Sequence, residues 1–247
     1  MEEISLQMYS LREQCEGNFT ATLEEVANAG YKAIELAGTY GMGAVELKQH
    51  LDRLGLKVSG AHIGLDVLKH EIGPTMEYQQ ILGNKLLICP HGNTNTNEEV
   101  EELVKDLTEI NQRCQQNGFN FAYHNHANEF NMVNGEYALT KIMNETPFSL
   151  KFELDTYWAY VAGVDIAAYL DVLQDRCTAI HLKDLDEEGN DVEVGTGQVP
   201  FSEVLAKAKE LRITNLVIEQ EKFQIDPVES ISQSYANISK LIEMQNA

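Results

Sequence analysis

Four short apolar runs in this chain end in residues that bind hard cations or carry protons. They are Tyr123-His124-Asn125-His126 followed by Glu129, Phe152-Glu153-Leu154-Asp155, Ile180-His181-Leu182-Lys183-Asp184, and Val217-Ile218-Glu219. Carboxylates mixed with imidazoles, with no thiolate among them, suit Mn²⁺, Mg²⁺, Co²⁺ or Zn²⁺ in a mostly oxygen-ligated site. Such an ion polarises a carbonyl or hydroxyl oxygen and acidifies a neighbouring C–H or O–H bond. A second carboxylate or His nearby can then shuttle the proton. Each residue alone has a plainer reading. A single strand His is ordinarily a satisfied rim or core residue, Glu219 by itself is an ordinary strand-end acid, and Glu35 is as well explained by a lysine partner as by catalysis. His50 and His70 read as surface residues, and His91, after Cys89-Pro90, as a loop cap or a substrate contact. Repetition favours chemistry, because buried acids are costly unless paired or metal-bound and stability does not call for four strands ending in them.

Groups that converge need a scaffold, and one unit recurs along the chain: an amphipathic helical stretch, a glycine or similar stop, then a short β-branched run. Residues 23–29 lead through Gly30-Tyr31-Lys32 into Ala33-Ile34-Glu35-Leu36, and residues 47–54 lead through Gly55-Leu56-Lys57 into Val58-Ser59-Gly60-Ala61. Residues 100–116 and 204–211 lead in the same way into strands at 120–123 and 215–218. Glycine past a helix end supplies the left-handed stop that turns the chain back. With further runs at 4–7, 85–88, 149–152 and 178–180, the count reaches about eight strands at spacings that suit βαβ crossovers. That is the size of an α/β protein built as a (β/α)₈ TIM barrel. A doubly wound sheet shares the alternation but normally carries a Gly-rich phosphate turn after its first strand, and Met8-Tyr9-Ser10-Leu11-Arg12 contains no glycine. No Pro/Gly/Ser-rich linker interrupts the chain, so residues 1–247 read as a single domain. In a barrel the chemistry sits at the carboxyl ends of the strands, where Gln7, Tyr9, Glu35, His62 and His91 join the four runs. Alternate side chains share a strand face, which pairs Glu153 with Asp155, His181 with Lys183, and His124 with His126 over one cavity.

Composition narrows the partners. A chain of 247 residues with 43% hydrophobic and 23% charged content is ordinary globular material. Its 39 acidic against 18 basic side chains give a formal charge of -21, which repels a phosphate backbone and excludes nucleic acid as a partner. The acids are spread along the chain, as solvated helix faces are. Cys15, Cys89, Cys114 and Cys177 form no CxxC pair and read as reduced structural thiols. The segment Met1-Glu2-Glu3-Ile4-Ser5-Leu6 has no signal-peptide character, and no apolar run approaches a membrane span. The expectation is a cytoplasmic protein without a membrane partner. Composition sets no oligomeric state and leaves a homo-oligomer open.

Taken together, these residues resemble the sugar phosphate isomerase/epimerase group of the xylose isomerase-like TIM barrels. The resemblance rests on Tyr123-His124-Asn125-His126-x-x-Glu129-Phe130, Glu153-Leu154-Asp155-Thr156-Tyr157-Trp158, Ile180-His181-Leu182-Lys183-Asp184, Gly195-Thr196-Gly197 and Val217-Ile218-Glu219-Gln220, and it extends from Gln7 to Glu219. It implies a divalent metal held by one residue from each of strands five to eight. Asp155, His181 and Glu219 match, and strand five offers His124, where many relatives place a Glu, or Glu129 reaching back. The resemblance further implies that His126, Glu153 and Lys183 line the substrate cavity as acid or base, with His62 and Trp158 as sugar contacts. The expected activity is metal-dependent isomerisation or epimerisation of a sugar or cyclic polyol, by proton transfer beside a carbonyl. Loss of a neighbouring hydroxyl would instead make the enzyme a dehydratase or lyase of a keto-sugar or inosose. A barrel that binds sugar without turnover is the non-enzymatic alternative. An abasic-site endonuclease shares the barrel, but the basic groove it needs is absent. Gly195-Thr196-Gly197 is a weak phosphate-turn candidate, since such turns are as often plain loop chemistry.

Overall fold

Eight parallel strands close into one barrel in the computed structural model, which describes residues 3–246. Met1 and Glu2, where the amino-terminal segment begins, lie outside the described residues, as does Ala247. The strands are β1 Glu3–Gln7, β2 Ala33–Leu36, β3 Lys57–His62, β4 Leu86–Cys89, β5 Asn120–His124, β6 Leu150–Asp155, β7 Cys177–Leu182 and β8 Asn215–Ile218. Each pairs in parallel with its neighbours in sequence, and β1 closes the ring by pairing Leu6 with both Ile34 and Ile218. This is the expected (β/α)₈ barrel, its crossovers carried by helices such as Arg12–Asn28, Ala44–Leu54, Asn97–Gln116 and Phe201–Glu210. Gly55 and Gly118 make the predicted stops at φ 68° and 71°. Arg212 makes the equivalent turn at φ 59° with a side chain present, a conformation that costs an L-residue about 1 kcal/mol.

Strand alternation divides the residues between two environments. Leu6, Ile34, Leu36, Phe121, Tyr123, Phe152, Leu154, Ile180, Leu182, Leu216 and Ile218 belong to the large apolar cluster shared with the helices. The other face of the strands has little apolar material: Leu86, Ile88 and Ala122 form a small separate cluster. Beside it stand the buried polar side chains of Ser5, Gln7, Glu35, His124, Glu153 and His181. The barrel axis is therefore filled toward its carboxyl end by groups that hydrogen-bond rather than by the branched aliphatics that usually fill such an interior.

Two short hairpins, which periodicity did not reveal, follow barrel strands. Met132–Val133 pairs with Glu136–Tyr137 after β5, and Asp184–Leu185 with Asp191–Val192 after β7. The second hairpin settles the role of the glycine turn. Asp184 Oδ2 accepts from the amides of Gly195 (3.0 Å) and Gly197 (2.8 Å), so those N–H groups are committed within the protein and not free to cradle a phosphate. A Cβ on Gly197 would stand 2.2 Å from the Leu185 carbonyl oxygen, so glycine is there for close packing.

All four cysteines are buried and free. Burial pushes Cys89, Cys114 and Cys177 up to about 12 and Cys15 to about 11, leaving almost no thiolate to react. Ellman's reagent at pH 8 should therefore find no fast-reacting thiol in the folded chain and all four after unfolding. A stoichiometric fast phase in the native protein would contradict the packing around them.

Candidate metal centre and active site

Register brings the chemistry together. Gln7 lies beside Glu35 across β1 and β2, His124 beside Glu153 across β5 and β6, and Asp155 beside His181 across β6 and β7. The pairing shifts between Ile34 and Glu35 and again between Phe152 and Glu153. Both irregularities therefore fall immediately before a buried glutamate, where a bulge re-aims a side chain. Opposite Glu35 stands Gly60, whose Cβ, if present, would lie 2.6 Å from Glu35 Oε2 and 2.9 Å from Ile88 Cδ1.

Two carboxylates and three imidazoles form the deeper layer. Glu153 Oε2 faces His62 Nε2 at 2.7 Å, His124 Nδ1 at 3.1 Å and His181 Nε2 at 3.1 Å. Glu35 Oε1 faces His181 Nε2 at 2.8 Å and His62 Nε2 at 3.1 Å, and accepts from Gln7 Nε2 at 2.8 Å. No lysine pairs with Glu35, contrary to one of the two sequence readings; imidazoles do instead. These nitrogen–oxygen separations are hydrogen-bond lengths. His62, His124, Glu153 and His181 also each offer a ligand atom, all within 4.8 Å of one another, the second group here that could hold a cation.

The charges follow from that geometry. Burial alone would lower His62, but Glu35 and Glu153 outweigh it and raise the imidazole to about 9. His181 rises well above its ordinary value because Glu153, Glu219 and Glu35 overcome the same penalty. Burial would raise Glu153, yet His181 and His62 hold it well below the usual carboxylate range. Burial pushes His124 down to about 3, the hydrogen bond to Glu153 offsetting only part of the effect. Neutral His124 thus gives its Nδ1–H to Glu153 and keeps a lone pair on Nε2, which faces Asp155 Oδ2 at 4.0 Å.

Above this layer Asp155, His181 and Glu219 each offer a ligand atom, all within 4.8 Å of one another. Asp155 Oδ1 accepts from the amide of Trp158 at 3.0 Å and caps the helix Thr156–Val161. Its Oδ2 is buried without a hydrogen-bond partner, 3.9 Å from His181 Nδ1. Burial drives Asp155 up to about 7 despite Lys183 and His181, and Glu219 adds to the rise. Glu219, 3.2 Å from His181 Nδ1, is held low by His181 and Lys183 against the effect of its own burial. A divalent cation fits here: it would satisfy the orphaned oxygen and take the proton's place on His181. The opposite nitrogen of His181 already faces Glu35 and Glu153, the carboxylate–histidine support that orients a metal-binding imidazole.

A cavity of about 510 Å³ opens over this centre. Its wall carries four imidazoles, His62, His91, His124 and His126, the rings of Tyr9 and Trp158, and the carboxylates of Glu219 and Glu221. The expected pairs on each strand therefore divide between layers. His124 and His126 both line the cavity, whereas fully buried Glu153 lies behind His62 and His124. Lys183 is likewise buried, ion-paired with Glu221 and set over the rings of Tyr157 and Trp158. Glu129 is not brought into the centre. Its oxygens accept from Tyr123 Oη at 2.7 Å and from the His126 amide at 2.8 Å, so it fixes the strand-five loop. His91 stands exposed at the cavity edge, and His70 is exposed away from it.

The chain belongs to the xylose isomerase-like TIM barrel family, whose pattern it matches over residues 23–241. It is 24% identical over 263 aligned residues to an inosose dehydratase of Geobacillus kaustophilus, with 88% of this chain and 84% of that protein covered. Its fold superposes with a TM-score of 0.86 on a sugar phosphate isomerase/epimerase from Parabacteroides distasonis, at 22% identity and with 97% and 98% of the two chains covered. The IolI protein with a bound zinc atom gives a TM-score of 0.79 at 16% identity, with 99% of each chain covered. Among the described residues no helix is long and apolar enough to cross a membrane.

The pocket for Glu35 depends on the absent side chain at Gly60. Gly60→Ala should destabilise the fold by about 1–3 kcal/mol, as overpacking of a well-filled interior does, measured by urea unfolding. A variant as stable as the parent would show that the glutamate is not confined as described.

Proposed function

We propose that this chain is a divalent-cation-dependent enzyme that moves a proton beside the carbonyl of a sugar or cyclic polyol. The observation that carries the reading is the Asp155–His181–Glu219 group, with its buried unpartnered oxygen, at the base of a cavity walled by imidazoles. Asp155, His181 and Glu219 would hold the ion, with His124 Nε2 as the strand-five donor. When bound, the ion would polarise substrate oxygens and acidify the adjacent C–H bond.

The chain's own groups do the rest. His126, which burial lowers to about 4, stands on the cavity wall placed to take the proton, and His62, raised to about 9, is placed to supply one. Glu153 and Glu35 hold His62 in position from behind. The indole of Trp158, packed on His126 with centroids 5.6 Å apart, offers an apolar face to a sugar ring. Return of the proton gives isomerisation or epimerisation. The similarity to inosose dehydratases supports a second reading on the same residues: after proton removal, a neighbouring hydroxyl leaves as water with a proton supplied by the second imidazole.

Two variants separate the roles. Asp155→Asn keeps a residue that caps a helix equally well but loses a charged ligand, so divalent metal bound per chain should fall while the thermal transition stays. His126→Ala should bind metal normally and lose about 10²–10⁴-fold in deuterium exchange from solvent into a panel of keto-sugars and inososes. Release of water from an inosose during the same incubation would select dehydration. Undiminished exchange in the His126 variant would remove that imidazole from the reaction.

A further inference from the structure

Among the described residues no lysine or arginine lines the cavity. The ammonium of Lys183 lies just behind its wall, 5.0 Å from the centre of the Trp158 ring and 4.7 Å from that of Tyr157. Its side chain is 2% exposed, whereas its partner Glu221 is 31% exposed and faces the cavity. A ligand therefore meets the carboxylate and not the ammonium.

The carboxylate of Glu221 is held by its ion pair with Lys183, and its backbone is held by two other elements. Its amide donates to Asp191 Oδ2 at 2.9 Å, the amide of Lys222 donates to the same oxygen at 3.2 Å, and Arg12 Nη2 donates to its carbonyl at 3.2 Å. Asp191 is buried on the hairpin after β7. Besides the imidazoles of the wall, two groups that often bind anions are committed. The Gly195 and Gly197 amides serve Asp184, and Arg12, over the Tyr9 ring, donates to two backbone carbonyls.

We propose that Glu221 is a specificity-determining residue, which by covering Lys183 makes the site select uncharged sugars or polyols and reject phosphorylated or carboxylated analogues. This rests on reading the cavity as a sugar site. Discrimination here comes from a repulsive element built against the wrong ligand: a phosphate oxygen beside Trp158 would face the carboxylate paired with Lys183, and like charges at close quarters are disfavoured.

The test reads binding, not turnover. Isothermal titration of the chain as purified with inorganic phosphate should give no measurable binding, whereas Glu221→Gln, which removes the negative charge in front of the ammonium, should bind it at least about tenfold above the detection limit. Glu221→Ala should gain similarly, and serves if the first variant is poorly folded. The double change Glu221→Gln with Lys183→Met should lose the gain. Phosphate binding by the parent, or no gain in either folded single variant, overturns the proposal. A parallel titration of the parent with fructose and fructose 6-phosphate bears on both readings: binding of the phosphate ester as tightly as the sugar overturns the proposal. If neither binds the parent while the phosphate gain stands, the sugar reading is weakened and the role of Glu221 is kept.

Discussion

Two glutamates, Glu35 and Glu153, sit fully buried inside a barrel, and the surrounding architecture answers that constraint. An uncompensated carboxylate at such a depth costs several kcal/mol. Three imidazoles and the amide of Gln7 compensate one oxygen of each, and that of Glu153 alone faces three ring nitrogens, whereas Glu35 Oε2 and Glu153 Oε1 have no hydrogen-bond partner. Removing a single partner would leave charge behind, so this layer stands or falls as a unit.

That constraint explains features that otherwise look unrelated. The strand irregularities before Glu35 and Glu153 turn the two carboxylates inward, and Gly60 leaves room for one of them. The apolar filling of the axis is reduced to a few residues, among them Leu86, Ile88, Ala122 and Val217, beside the buried polar groups. The same hydrogen bonds orient the upper centre. His181 turns one nitrogen to the buried glutamates and the other to Asp155 and Glu219, and His124 spends one nitrogen on Glu153 and keeps the other toward Asp155. The lower layer thus sets which atoms a cation or substrate can meet.

The cavity's chemistry follows from what this layer leaves exposed. Imidazoles, two aromatic rings and two acids face it, while Glu153 and Lys183 stay behind. Any group entering the cavity meets histidines first, with the carboxylate of Glu153 and the ammonium of Lys183 behind them. The cavity lies at the carboxyl ends of the strands, where barrels of this kind place their chemistry.

Local sequence was enough for the barrel. Eight apolar runs, helices with glycine stops, and strand tips bearing His124, Asp155, His181 and Glu219 all follow from periodicities of two and 3.6 residues, which act over a few positions. The side chains that alternation placed on one face divided by depth, because how far each residue stands along the axis depends on register between strands. Glu35 was visible as an acid in an apolar run, but its partners, Gln7, His62 and His181, come from three other strands. Glu221 repeats the two-residue spacing after Glu219, yet it lies past the end of β8, where strand alternation no longer sets direction, and its partner Lys183 is 38 residues away. Residue types and their order along each strand therefore determined the fold and the inventory of reactive groups. Tertiary structure alone decided which of them share a proton, which can hold an ion and which face the ligand, because those outcomes depend on distances of a few ångströms between segments remote in the chain.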